Sequence, residues 1–437
     1  MPLSARQAVL QMLNAFRSGG IQSGMCVEKL NTDFGLDDKD SALAVNIFMG
    51  CIQFRYKLDW YIALFSDIPI AKIDSWVMNI LRMAVYQLRF LDRIPAHAAV
   101  DEAVRLCRQH RPRAVSFVNA VLRHIASDID RLPKPAGKGA GLLSIEYSAE
   151  KWFVEYLIDR FGYQSAEAFL AESNKVAPLS LNINRNRITV EEYKKLLDAR
   201  DISYSSGVYE GILTVEPQDI KKLPGFTEGF FFVQDPAAAA CAVICGALPG
   251  MNLLDACSSP GGKSFSAAVA MKNEGSILAC DINGKKIARV SEGAERLGLD
   301  IISCSVHDAK AYNAEFDTAF DIVIADVPCS GFGVLRKKPE IKYKTKDEIS
   351  ALPGIQKDII NNLSRYVKCG GTLLYSTCTV IEEENENIVE GFLSDHDCFI
   401  ADDFEFCGIR SVNGMYTFLP NINGTDGFFA AKLIKIR

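Results

Sequence analysis

The feature that most constrains this 437-residue chain is the rhythm of its second half. From about Phe231 onward, apolar runs alternate with stretches of helical period, the runs being Asn252–Ala256, Ser276–Cys280, Asp300–Val306, Asp321–Ala325 and Thr372–Ser376. Runs that are apolar throughout, rather than at every second residue, are strands covered on both faces, and helices between them are the crossovers of a parallel sheet. A doubly wound α/β domain is therefore expected over 231–437, with Phe428–Ile436 among its last strands. In such sheets ligands sit beyond the carboxyl ends of the strands, so the residues that end each run are the candidates for chemistry.

The first half reads differently. Val9, Met12, Leu13 and Phe16 recur at helical spacing and stop at Gly19-Gly20, and Val118, Val121, Leu122 and Ile125 repeat the pattern, so residues 1–132 are expected to be helical. Pro95–His97 and Arg111-Pro112 punctuate those helices. Prolines, glycines and lysines then gather in Leu132–Gly139, the composition of a linker, placed at 133–144. A small α+β unit is expected over 145–230: a helical pattern from Ala149 to Glu172, a strand carrying Leu179, Leu181 and Ile183, a capping box of Thr189 and Glu192, and a strand at Ile212–Val215.

Composition narrows the class. With 49% hydrophobic and 23% charged residues the chain is an ordinary globular protein, neither disordered nor disulfide-stapled. It has no apolar run of about 18 residues and no secretory block near Met1, so a cytoplasmic protein without a membrane partner is expected. Its 13 cysteines include no Cys-x-x-Cys pair, which favours reduced thiols and no metal. A monomer is the expected state. The formal charge of −6 hides a basic cluster of Arg105, Arg108, Arg111, Arg113, Arg123, Arg131, Lys134 and Lys138, which reads either as a solvated helix face or as a surface for nucleic-acid phosphates.

Three loops carry the chemistry. Leu253–Ser264 runs from a strand into a glycine loop that opens a helix. A phosphate-binding P-loop needs glycine where Cys257 stands, and G-x-G-x-x-G fails both here and at Gly331-Phe332-Gly333. What survives is a loop of small residues that lets backbone approach a ligand. Asp281 ends the second strand 19 residues beyond Gly262, the distance at which an acidic side chain binds ribose hydroxyls and favours an adenosine-containing ligand. Asp308, after the third strand, serves the adenine end or caps a turn. Finally, Asp326-Val327-Pro328-Cys329-Ser330-Gly331 and Tyr375-Ser376-Thr377-Cys378-Thr379 end the fourth and fifth strands, neighbours in the usual order, so Cys329 and Cys378 would open into one cleft. Either cysteine alone reads as a small buried hydrophobe; together they suggest covalent chemistry. Cys280 and Cys304 lie inside strands and read as core.

Leu254–Lys263, Asp326–Gly331 and Tyr375–Thr379 resemble motifs I, IV and VI of the RNA cytosine-5 methyltransferases of the Nol/Nop/Sun family. Ile94–Glu102 and Phe117–Arg123 resemble the bacterial subgroup with a NusB-like helical domain, and Phe232–Asp235 and Gly424–Phe429 match its style, so the likeness covers nearly the whole chain. The resemblance implies an all-α NusB-like N-terminal domain, a small α+β subdomain, a Rossmann-like class I methyltransferase domain, the cofactor S-adenosyl-L-methionine, and a small-subunit ribosomal RNA partner methylated at the site the subgroup calls cytosine 967 of 16S rRNA. It makes Cys378 the nucleophile and Cys329 the residue assisting release. Cys257, Ser258, Ser259, Pro260, Gly261, Gly262 and Lys263 would wrap the cofactor, Asp281 would take its ribose, and Asp308 its adenine. Asp326 would contact its methionine end or the base near N3, and Lys263 would bind a carboxylate or organise the site.

The chemistry is consistent with those roles. Cytosine C5 is a poor nucleophile until a thiolate adds at C6 and makes C5 enamine-like. Two small departures stand out: Cys257-Ser258-Ser259 where relatives often have Cys-Ala-Ala, and Val327 where they often have Ala. Arg336, Lys337, Lys338, Lys342, Lys344 and Lys346, with Tyr343 among them, form an expected strip for phosphates and stacked bases. A base in duplex RNA would need extrusion, which favours a loop or single-stranded target. The competing class is a non-catalytic RNA-binding scaffold for ribosome assembly or antitermination, against which the intact cysteines, Asp281 and the glycine loop speak; methylation of another RNA is a second alternative. Enzymes acting on amino groups place an aromatic after motif IV where Ser330 stands, and DNA cytosine enzymes need no Cys378.

Overall fold

The structure, a computed structural model, describes residues 3–19 and 23–437. Its contacts divide the chain into two compact units: Met1–Lys175 together with Leu335–Thr345, and Val176–Val334 together with Lys346–Arg437.

The first unit is helical. Ala5–Gly19 buries Val9 and Leu13, and Val115–Ser127 buries Val118, Val121, Leu122 and Ile125, the stripes their spacing demanded. Gly20, half of the expected helix stop, lies outside the described residues. Asp37 caps Asp38–Gln53 by accepting from the Asp40 N–H, and Asp74 caps Ser75–Phe90 by accepting from the N–H groups of Trp76 and Val77. These two helices meet at Gly50, where a Cβ would lie 2.0 Å from the Tyr86 ring. The helical pattern from Ala149 to Glu172 forms two helices, Lys151–Phe161 and Tyr163–Ser173, because Gly162 between them takes φ +81°, which ends a helix.

One expectation is overturned here. Lys342 and Tyr343, central to the basic strip, are turned into the helical unit. Lys342 is fully buried and its Nζ donates to Gln53 O (2.7 Å), Tyr147 O (3.1 Å) and Asn174 Oδ1 (2.7 Å). The Tyr343 hydroxyl donates to Ile52 O at 2.6 Å, and Arg55 covers its ring at 5.1 Å. Burial pulls the Lys342 pKa well below the usual lysine value. Composition marked these residues as solvated, but three oxygens brought together from distant helices satisfy all three N–H donors of an ammonium and hold it inside. Lys342→Ala, by orphaning those acceptors, should destabilise the helical unit by about 2–4 kcal/mol; an unchanged melting temperature would refute the anchoring role.

The second unit holds two sheets. The smaller is antiparallel, built from β1 (Leu179–Ile183), β2 (Tyr204–Ser206), β3 (Ile212–Val215) and β4 (Phe231–Val233) in the order β2-β3-β1-β4. Thr189 and Glu192 form the expected capping box on Val190–Asp198, which lays Tyr193 and Leu197 on this sheet's core. Phe231–Val233, the start of the sequence rhythm, thus completes the smaller sheet.

The larger sheet contains β5 (Asn252–Asp255), β6 (Ser276–Asp281), β7 (Ile302–Val306), β8 (Phe320–Asp326), β9 (Val367–Thr377), β10 (Phe399–Ala401), β13 (Met415–Phe418) and β14 (Phe428–Lys435); the hairpin β11 (Glu405–Phe406) and β12 (Ile409–Arg410) stands apart. The order is β10-β14-β9-β8-β5-β6-β7, with β13 paired to β14. Strands β5 to β9 are parallel, whereas β14 runs antiparallel to β9. The order reverses between β5 and β8, which opens the crevice where such sheets bind ligands. Leu254, Ile277, Val323, Ile324, Leu373 and Leu374 are at most 1% exposed, as strands covered on both faces must be. Cys280 is buried as expected, but Cys304, on edge strand β7, is only half-buried.

Candidate active site

The loop after β5 is shaped by its glycines. Gly261 takes φ +107° and a Cβ there would lie 2.4 Å from the Phe265 ring; at Gly262 a Cβ would meet Gln234 Nε2 at 3.1 Å. A larger residue is excluded at Gly261 and would crowd Gln234 at Gly262, and the helix Gly262–Ala270 starts without a side-chain cap beside Cys257, Ser258, Ser259 and Pro260. Cys257 is half-buried, and burial, reinforced by the nearby carboxylates, pushes its thiol pKa up. The Ser258 hydroxyl and Gln234 Nε2 are buried without a partner among the described residues. Two orphaned polar atoms at a glycine loop fit a polar ligand held there.

Asp281, at the end of β6, is 8% exposed, and its Oδ1 accepts from the Asn283 N–H at 2.8 Å. Asp308 uses Oδ1 to accept from the Lys310 N–H at 3.0 Å, so it does cap a turn, with one oxygen to spare. Lys263 has its carboxylate inside the protein: Nζ lies 2.7 Å from Asp326 Oδ2, while Asp326 Oδ1 accepts from the Ser376 hydroxyl at 2.9 Å. Burial alone would lower the Lys263 pKa, but Asp326 more than offsets it, so the ammonium is held above its ordinary value.

Asp255 ends β5 fully buried. Oδ2 accepts from Ser264 Oγ at 2.6 Å and Oδ1 has no partner among the described residues, so desolvation pushes its pKa from 3.8 up to about 7. A carboxyl whose folded pKa is raised contributes stability that is full below its unfolded pKa and lost as pH rises through its folded pKa. The window here is about pH 4 to 7. Asp255→Asn, which stays neutral, should therefore gain about 3 kcal/mol on the parent between pH 5 and pH 8. Melting both proteins at the two pH values tests this; a gap independent of pH would refute it.

The two candidate thiols meet. Strands β8 and β9 are adjacent, with Asp326 opposite Ser376, and the loops that leave them bring Cys329 Sγ to 3.2 Å from Cys378 Sγ. The Cys378 N–H also points at Cys329 Sγ, at 3.3 Å. The hydrogen bond shared with Cys378, then burial, raise the Cys329 pKa well above the ordinary thiol value. Sequence reasoning missed the buried polar residues around these loops, Glu384, Gln356 and Asn385, and gave no role to Gln234, although it quoted the Phe232–Asp235 stretch that holds it.

A reversed parallel sheet with an antiparallel last strand, a glycine loop after its first strand and acidic residues ending the second and fourth defines a Rossmann-like methyltransferase. The family described as 16S rRNA methyltransferase RsmB/F matches residues 247–434, the NusB family matches 3–127, and the RsmF/B-like ferredoxin-like domain matches 149–221. The probable ribosomal RNA small subunit methyltransferase B of Bacillus subtilis is 32% identical across 99% of both chains, and ribosomal RNA small subunit methyltransferase B of Pseudomonas putida is 32% identical across 92% of both. The chain belongs to the RsmB/F family of 16S rRNA methyltransferases. Among solved structures, PH0851 aligns over 100% of both chains with TM-score 0.83 and 24% identity. NSun6 from Pyrococcus horikoshii with SFG aligns over 66% of this chain and 98% of its own, with TM-score 0.59 and 19% identity. At those identities the likeness is one of fold.

Proposed function

We propose that this protein methylates C5 of a cytosine in small-subunit ribosomal RNA, at a site of the 16S cytosine 967 type, using S-adenosyl-L-methionine. The observation that carries this reading is the pair of sulfurs 3.2 Å apart at the ends of adjacent parallel strands, beside the glycine loop. Cysteine pairs of this kind have no use in methyl transfer to an amino group, whereas C5 of cytosine needs a nucleophile at C6 and help in letting it go.

In this reading Cys378, as a thiolate, adds to C6 of the base. C5 then takes the methyl group as the sulfonium leaves as a neutral thioether, the C5 proton passes to solvent, and the Cys378–C6 bond breaks with the assistance of Cys329, its electron pair returning to Cys378 as thiolate. The cofactor, when bound, supplies the methyl group as a sulfonium. The loop Cys257–Lys263 would hold it through backbone groups, with Ser258 and Gln234 offering orphaned polar atoms, Asp281 the ribose and Asp308 the adenine. Lys263 holds Asp326 oriented toward either the methionine end or the base near N3. The domain division at 132, 144 and 230, and action as a cytoplasmic monomer without a metal, belong to the same proposal. No described helix is long and apolar enough to cross a membrane.

The experiment is transfer of labelled methyl from S-adenosylmethionine to unmodified small-subunit rRNA, followed by nucleoside analysis. 5-Methylcytidine is the expected product. Cofactor binding without transfer to any small-subunit RNA would overturn the substrate assignment and reopen transfer RNA, large-subunit RNA and the scaffold reading.

A further inference from the structure

The polar groups buried behind the two cysteines are organised residue by residue. Glu384 is 1% exposed and its Oε2 accepts from two donors, the Ser330 N–H at 2.8 Å and Gln356 Nε2 at 2.8 Å. The same Gln356 amide donates to Pro328 O at 3.0 Å. Both peptide groups that flank Cys329 are thus gripped by one carboxylate–amide couple. The next residue, Asn385, does the same for the other cysteine: its Oδ1 accepts from Thr377 Oγ1 at 2.6 Å and its Nδ2 donates to Thr379 O at 3.0 Å, on either side of Cys378. The Ser330 and Thr379 hydroxyls, 2.8 Å apart, tie the two loops together. The Tyr375 hydroxyl fixes the dipeptide from below by donating to Glu384 O at 2.6 Å.

We infer that the dipeptide Glu384-Asn385 is the positioning element of this site: Glu384 registers the Cys329 loop, Asn385 registers the Cys378 loop, and the Glu384 charge directs the proton of the pair onto Cys329. The inference deepens the proposed function and rests on it for the meaning of the two sulfurs. The geometry supports the first two statements, because consecutive residues cannot move independently and so hold the two loops at one separation. The third follows from where charge lies. The groups facing Cys329 are Cys378, Glu384, Asp326 and Tyr375, with Lys263 occupied by Asp326. Negative charge on Glu384 disfavours a thiolate on Cys329, leaving Cys378 as the sulfur that gives up its proton. Neither residue is proposed to touch RNA or cofactor.

The test uses the full-length protein and two thiol measurements. Alkylation by iodoacetamide across pH, read at each cysteine by peptide mass spectrometry, follows Cys329 and Cys378 separately as members of a coupled pair. Glu384→Gln keeps an oxygen for Ser330 and Gln356 but removes the charge, so the Cys329 midpoint should fall by about one pH unit or more. A folded variant with an unmoved midpoint overturns the charge assignment. Diamide, which oxidises two thiols to a disulfide while being reduced to its hydrazine, reports how closely the sulfurs are held. Closure of a Cys329–Cys378 bridge should slow about tenfold or more in Asn385→Ala and in Gln356→Met, which loosen one loop each and leave Glu384 charged. Unchanged closure rates overturn the registering role, and they decide the matter even if Glu384→Gln does not fold. Both readouts need neither RNA nor cofactor. A protein that makes no 5-methylcytidine but shows the expected thiol shifts fails the proposed function alone; one that methylates normally with unmoved thiols fails this inference alone.

Discussion

Cys378→Ala is expected to lower methyl transfer by about four or more orders of magnitude, the scale seen when the nucleophile of a covalent enzyme is removed. In the proposed reaction the side chain supplies the electron pair that activates C5, and the other sulfur, Cys329, lies 3.2 Å from it. Cofactor affinity should stay near that of the parent, because the glycine loop and Asp281 belong to strands β5 and β6, on the far side of β8 from β9. Single-turnover transfer from labelled S-adenosylmethionine, together with calorimetric binding of the cofactor, separates the two effects. An active Cys378→Ala protein would sink the assignment; loss of both activity and cofactor binding would mean that the substitution had disrupted the fold of the site.

Cys329→Ala is expected to do the opposite of a simple knockout. If Cys329 assists release, its removal leaves the addition step in place and blocks the exit, so protein and RNA remain joined through Cys378. On a denaturing gel the joined species should rise roughly tenfold or more over the parent, as covalent intermediates do when their breakdown is the slow step. The variant also loses the hydrogen bond shared by the two sulfurs, which should shift the pH at which the adduct forms. Turnover retained with no adduct would remove Cys329 from the mechanism.

Much of this site is legible in the sequence, for a physical reason. Apolar runs separated by helices force a parallel sheet, that sheet's usual order makes its fourth and fifth strands neighbours, and so Cys329 and Cys378 could be brought together on paper before any coordinate was known. What escaped lacks a period. Glu384 meets Ser330 across 54 residues and Gln356 across 28, and Lys263 meets Asp326 from a different strand–helix unit; nothing local marks such pairs. Lys342 escaped for the converse reason. Its neighbours Lys338, Lys344 and Lys346 carry the composition of a solvated strip, and only the assembled helices supply the three oxygens that draw it in. The helical pattern from Ala149 to Glu172 does form helix, divided in two at Gly162, whose positive φ no apolar spacing reveals.

The short stretch Leu335–Thr345 has a consequence for how such a protein can be cut, joined or inherited. It is threaded out of the loop that carries Cys329, packs with the N-terminal helices, and returns to the catalytic sheet. Besides Lys342, Glu340 accepts from the Ser23 hydroxyl, and the Trp152 indole donates to Lys344 O at 2.8 Å. The helical unit is therefore no detachable prefix. Loss of residues 1–175 would leave Lys342 without its three oxygen partners and Tyr343 without Ile52 O, on the stretch that follows the Cys329 loop. Exchange of the N-terminal region between relatives would have to bring a matching internal loop with it, so the two pieces of this unit are expected to vary together although more than 150 residues of chain lie between them.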